Sequence, residues 1–149
     1  MRLEIEEIDA PIPTLCLNMI VKNESKIIRR LMESVSPIID SYCICDTGST
    51  DDTIELINTF FSEKNIPGKV ITEPFKNFAH NRTFALQSCS GMSDYIILLD
   101  ADMILEGNDF DKRKLAEADS FCLLQGNESF YYQNMRIVRN NGLYKYTGV

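Results

Sequence analysis

The chain has 149 residues, 15 of them basic and 22 acidic, giving a net charge of −7; 44% of it is hydrophobic and 25% charged. That length suits one domain with a sizeable core, and the balance is that of a soluble globule. The negative charge leaves no basic stripe for nucleic acid, and an acidic protein that holds a phosphate ligand needs a metal ion or helix N-termini to offset its own field.

The opening run MRLEIEEIDAPIP carries four acids and no apolar stretch, so it does not read as a signal peptide, and nothing in the chain approaches the length of a membrane span. Thr14 to Val21 is β-like and is broken by Lys22-Asn23-Glu24-Ser25. Asn23 suits an N-cap, and Ile28, Leu31, Met32 and Val35 recur at helical spacing until Pro37. Tyr42 to Cys45 is a second short strand, ending at Asp46-Thr47-Gly48-Ser49-Thr50-Asp51-Asp52. Ser49 or Thr50 can cap a helix whose Ile54, Ile57 and Phe61 share a face, and acids in its first turn suit the helix dipole. Asn65 to Gly68 is a turn and Lys69 to Thr72 a third strand; Asn77 then caps a helix from Phe78 to about Cys89, closed near Gly91.

Tyr95-Ile96-Ile97-Leu98-Leu99 is apolar without a break, as a strand is when helices cover both faces of a parallel sheet. It runs straight into Asp100-Ala101-Asp102. The first hundred residues therefore read βαβαβαβ, a parallel sheet with right-handed crossovers. Beyond Gly107 the pattern changes. Asp111 to Ala118 reads as a short helix, and Ser120 to Leu124 and Tyr131 to Arg139 as strands. Asn141-Gly142 is a hairpin turn signal leading into Leu143 to Tyr146. Cys16, Cys43, Cys45 and Cys122 lie in strand-like runs and Cys89 in a helical one; as buried reduced thiols they point to an intracellular, cytoplasmic protein.

The chemistry gathers at the strand ends, where open α/β sheets bind ligands. Two carboxylates at i and i+2 closing a strand, Asp100 and Asp102, point the same way and can face one ion or one sugar; their mutual repulsion is relieved by a divalent cation. Asp46 ends the second strand beside the same crevice, where a carboxylate accepts from a base N–H or a ribose hydroxyl. Lys22, Asn23 and Glu24 border it from the first strand. Arg82, one turn into the third helix, is within reach of a base or phosphate. His80, the one histidine, reads as structural, and Arg136 and Arg139 as a solvated strand face. Asp-Thr-Gly-Ser is also the aspartic-protease signature, but that chemistry needs two such aspartates in an all-β fold. A dinucleotide-dependent dehydrogenase is disfavoured because the first strand lacks GxGxxG.

Four segments, Ile20 to Glu24, Asp46 to Asp51, Asn77 to Arg82 and Leu98 to Asp102, stand in an order and spacing that resembles family 2 glycosyltransferases of the GT-A type, over about residues 14 to 105. The later runs Met135 to Gly142 and Tyr144 to Gly148 resemble members with a hairpin beyond the metal motif. The resemblance implies an α/β, Rossmann-like, mostly parallel sheet flanked by helices, with a C-terminal β-hairpin, all in a single domain. It implies a nucleotide-sugar donor, most often a UDP-sugar, bound by Val21, Lys22, Asn23, Glu24, Asp46, Arg82, Asp100 and Ala101. Asp46 would read the uracil, Arg82 would reach the base or diphosphate, and Asp100 would contact the ribose or a metal-bound water. Asp102, with Asp100, would hold Mn²⁺ or Mg²⁺, a Lewis acid for the leaving diphosphate. The acceptor would be a hydroxyl of a glycan, a protein or a small molecule, activated by a base if the enzyme inverts. In the family that base follows the DxD motif, and in the closest subgroup a His-Glu pair follows the segment matching Tyr144 to Val149. No base is named among these residues; the chain reads either as the donor-binding half of a longer protein or as a minimal enzyme with an unusual acceptor arrangement. A non-catalytic nucleotide-sugar-binding domain is the alternative.

Overall fold

Alternating apolar runs and helical-period segments produce alternating strands and helices in the computed structural model, which describes residues 11–107, 110–127 and 129–148. The elements are β1 (Leu15–Val21), α1 (Ile28–Val35), β2 (Ser41–Asp46), α2 (Thr53–Glu63), β3 (Gly68–Thr72), α3 (Phe78–Gln87), β4 (Tyr95–Leu98), a 3₁₀ turn (Lys112–Glu117), β5 (Ser120–Asn127) and β6 (Phe130–Arg139). They form one six-stranded sheet in the order β3-β2-β1-β4-β6-β5. The first four strands are parallel, and β6 and β5 add an antiparallel hairpin at the β4 edge. No described helix is long and apolar enough to cross a membrane.

Strand alternation divides the core into two layers. Leu15, Leu17, Met19 and Val21 of β1, with Tyr95 and Ile97 of β4, pack against Ile28, Leu31, Met32 and Val35 of α1 and Ile57, Phe60 and Phe61 of α2. Cys16, Cys43, Ile96 and Leu98 face the other way, onto Leu86 of α3 and Cys89. Chain direction explains this split. β1 to β3 step one way across the sheet, and the α3 crossover returns to the other side of β1. Right-handed connections therefore put α1 and α2 on one face and α3 on the other. One close approach is set by a missing side chain: a Cβ on Gly68 would lie 2.2 Å from the carbonyl oxygen of Tyr42. Only glycine lets β3 start beside the Tyr42 ring, which stacks on Phe61 at 4.4 Å.

Several local expectations are corrected. Asn23 does not cap α1, whose N-cap position is Ile27 with no side-chain bond. Neither Ser49 nor Thr50 caps α2; Asp52 holds that position, and Asp51 instead accepts from Thr53 N at 3.0 Å. Asn77 does cap α3, accepting from His80 N at 2.7 Å. Asn141-Gly142 turns the chain but starts no hairpin, because β6 is already paired on both edges, with β4 and with β5. The hairpin is β5–β6, and residues 143–148 are not in a strand. Four of the cysteines are buried, but Cys122 is exposed, being on the outermost strand.

Candidate functional site

β1 and β4 are neighbours, yet their chains leave the sheet in opposite directions, α1 toward β2 and the Asp100 loop toward β6. Such a switch point opens a crevice beyond the carboxyl ends of the strands. Val21 and Asp46, the last residues of β1 and β2, stand level in register. Leu99 still donates to the carbonyl of Asn18 at 3.3 Å, so Asp100 leaves the sheet alongside the end of β1.

The two loops that follow β1 and β2 are braced across the crevice floor. Asn23 adopts φ +52°, a left-handed conformation that asparagine tolerates. Its Oδ1 accepts from Thr50 N at 2.7 Å and Asp51 N at 3.2 Å, and its own N–H donates to Ser49 Oγ. Glu24 N donates to Thr53 Oγ1 at 2.9 Å, and Thr47 N donates to Val21 O. Val21 is buried and Lys22 is exposed. The sequence signal for this bracing lies in Asn23 and the Ser-Thr-Asp run, but its partners are 26 to 29 residues apart and only the fold pairs them.

Asp46 is buried, with 3% of its surface exposed. Its Oδ1 accepts from Gly48 N at 2.9 Å and Ser49 N at 2.8 Å. Gly48 at φ +130° gives the tight turn that aims both donors at one oxygen. Oδ2 is buried and has no partner among the described residues. The α/β frame, with its parallel strands and helices, removes the all-β context of the protease reading.

Asp100-Ala101-Asp102 corrects a second expectation. β4 ends at Leu98, and Met103 N donates to Asp100 O at 3.0 Å, so the triplet lies in a turn and strand alternation does not orient it. Ala101 is buried in the core layer facing α1 and α2, while Asp102 is exposed. Asp100 is half-buried and accepts from Arg82 Nη1 at 2.9 Å. Among the described residues no three His, Cys, Asp or Glu side chains are grouped closely enough to hold an ion unaided. A negative field is nonetheless concentrated here. Burial pushes the Glu24 carboxyl above its usual range, and Asp102, Asp51 and Asp100 push it further in the same direction.

Further side chains of the Asn77–Arg82 and Met135–Gly142 segments surround the crevice. Asn81 is fully buried, accepts from Lys76 N at 2.9 Å, and donates to the carbonyls of Glu73 and Pro74 at 3.2 Å, fixing the loop before α3. His80 lies 3.8 Å from Glu73 and is in no cluster of three metal-ligating side chains among the described residues. Arg136 is not a solvated side chain: its Nη2 reaches Gln125 Oε1 at 2.6 Å and its Nη1 the carbonyl of Leu98 at 3.4 Å. Arg139 pairs with Asp119 at 2.7 Å over the Tyr95 ring. A cavity of about 190 Å³ at the far end of α3, lined by Leu86, Gln87, Asn140 and Tyr144, holds none of the crevice acids.

The family model for glycosyl transferase family 2 matches residues 16–120. The SPbeta prophage-derived glycosyltransferase SunS of Bacillus subtilis is 29% identical over 147 residues, covering 91% of this chain and 33% of that protein. Among solved structures, residues 1–349 of TarS from S. aureus in complex with UDP superpose with a TM-score of 0.52 at 18% identity, over 70% of this chain and 30% of that one. The mannosyltransferase PcManGT from Pyrobaculum calidifontis, in complex with GDP-Man and Mn²⁺, gives 0.55 at 16% identity, with the same coverages of 70% and 30%. The chain spans a third or less of the curated relatives it matches.

Proposed function

The chain belongs to glycosyl transferase family 2, and from that membership we propose that it binds a nucleotide-sugar donor, a UDP-sugar, at the β1–β4 crevice for transfer to an acceptor hydroxyl. The observation that carries the proposal is the buried, unpartnered Oδ2 of Asp46 at the end of a central strand. Leaving a buried acceptor unmade costs about 1–3 kcal/mol, and stable folds retain such a group where something else completes it. The ring N–H of uracil is a fitting donor, while Oδ1 stays occupied by Gly48 and Ser49 and holds the carboxylate in place. Val21, Lys22, Asn23 and Glu24 line the base and ribose side.

The diphosphate belongs at the Asp100–Asp102 turn. Arg82 already points its guanidinium there, and a guanidinium suits phosphate oxygens. Asp102 and Asp100 fit Mn²⁺ or Mg²⁺ as a half-site, the rest of the coordination coming from diphosphate oxygens and water, the common mode for Mg²⁺ with phosphates. The charge pressing on Glu24 supports this, since a cation would relieve it. When bound, the ion neutralises charge on the leaving diphosphate. The chain's own residues seat the base, orient the phosphates and keep the sugar at the crevice mouth. No general base or acceptor site is assigned among the described residues.

A screen of UDP-, GDP- and ADP-sugars tests the reading, by calorimetry and by metal-dependent release of the sugar. UDP-sugars are expected to bind, and more tightly with Mn²⁺. Guanine also carries a ring N–H, so preferential binding of GDP would keep the site and overturn its uridine assignment. Binding of none would overturn both.

A further inference from the structure

We propose that Tyr146 is a positioning residue for Arg82, and through it for the diphosphate end of the donor site. This rests on the donor-site reading above and adds a residue from the segment after β6. The Arg82 guanidinium carbon lies 5.8 Å from the centroid of the Tyr146 ring and 6.0 Å from that of Phe78, while Nη1 reaches Asp100 at 2.9 Å. Two aromatic faces and one carboxylate therefore hold it.

The two rings are not equivalent. Phe78 is 55% exposed, whereas Tyr146 is half-buried and packs against the core layer on the α3 side. A cation–π contact strengthens as water is excluded, so Tyr146 is the stronger support. Tyr146 is itself fixed at two points on one side chain: its N–H donates to Thr83 Oγ1 at 3.0 Å, and Thr83 Oγ1 donates to its carbonyl at 3.4 Å. Thr83 follows Arg82 directly, so the ring and the guanidinium are tied to the same turn of α3. An unsupported arginine in an acidic crevice has several carboxylates to choose among, and it loses rotamer freedom when a phosphate orders it. Stacked on Tyr146, it has lost that freedom before the donor arrives, the general route by which preorganisation raises affinity. The distance along the chain between positions 82 and 146 explains why no local motif announces the pair.

The test is a double-mutant cycle on Arg82 and Tyr146, read by calorimetry with UDP and with uridine in Mn²⁺, each variant also checked for an intact thermal transition. Tyr146→Leu is expected to weaken UDP by about 3- to 10-fold and leave uridine unchanged; Tyr146→Phe, which keeps the ring, is expected to match the unaltered chain. In an Arg82→Met background Tyr146→Leu is expected to add no further loss. Thr83→Val cuts the tether and spares both rings, and tests the same claim should Tyr146→Leu not fold; UDP affinity is expected to fall and uridine affinity to hold. Unchanged UDP affinity in the leucine and valine variants overturns the proposal. So does an equal loss for uridine, or a full loss persisting without Arg82. In those cases UDP binding by the unaltered chain leaves the donor-site reading standing. If the unaltered chain binds no nucleoside diphosphate, that reading fails first and takes this one with it.

Discussion

Asp46 has its two oxygens in opposite states, one accepting two backbone N–H groups and the other buried with no donor. Asp46→Asn keeps the first arrangement and can replace the second acceptor with a donor. It is therefore expected to leave the fold intact and weaken UDP by at least about tenfold, measured by calorimetry; unchanged affinity would remove Asp46 from the site. Asp51 is the other carboxylate with a defined task. Its bonds to the hydroxyl and N–H of Thr53, and to Ser25, hold its carboxyl down at about 2, from 3.8. A carboxyl lowered by folding stabilises fully above 3.8, and that contribution disappears as pH falls toward 2. In urea unfolding, the advantage of the native chain over Asp51→Asn is expected at pH 6 and should be mostly lost near pH 2. An advantage as large at pH 2 as at pH 6 would contradict the assignment. Asp46, Asp100 and Asp102 were legible as candidates because each follows an apolar strand. The roles of Asn23, Asn81 and Tyr146 were not, since their partners or targets are set by packing and not by neighbouring sequence.

At the scale of elements, apolar periodicity was a sufficient guide to the parallel half of the sheet. Ile28, Leu31, Met32 and Val35 are all fully buried on one face of α1, and the unbroken apolar run of β4 lies between β1 and β6 with both faces covered. The guide failed where a turn signal had no free edge to use. Asn141-Gly142 looks like a hairpin, but β5 had already taken the outer edge of β6. The segment beyond it packs on α3 through Tyr146 and Thr83 instead. The loop between β3 and α3 is tied down in part by the buried amide of Asn81. Asn81→Ala removes the partners of Lys76 N and of the Glu73 and Pro74 carbonyls. A loss of about 1–2 kcal/mol in urea unfolding is expected from the three part-buried hydrogen bonds removed. A loss below about 0.5 kcal/mol would mean that the loop is held by other contacts.

For the whole molecule, the decisive feature is the reversal of strand order between β1 and β4. It collects the ends of three strands, the first turns of α3 and an acid-rich turn at one crevice, in a chain whose net charge of −7 would otherwise repel a diphosphate. In the proposed donor site, the guanidinium of Arg82 and a cation on Asp102 would hold one there. A crystal structure of the chain grown with UDP and Mn²⁺ tests this most directly. The account predicts the uracil on Asp46 and the metal between Asp102 and the diphosphate; UDP bound elsewhere, or a metal remote from Asp102, would contradict it.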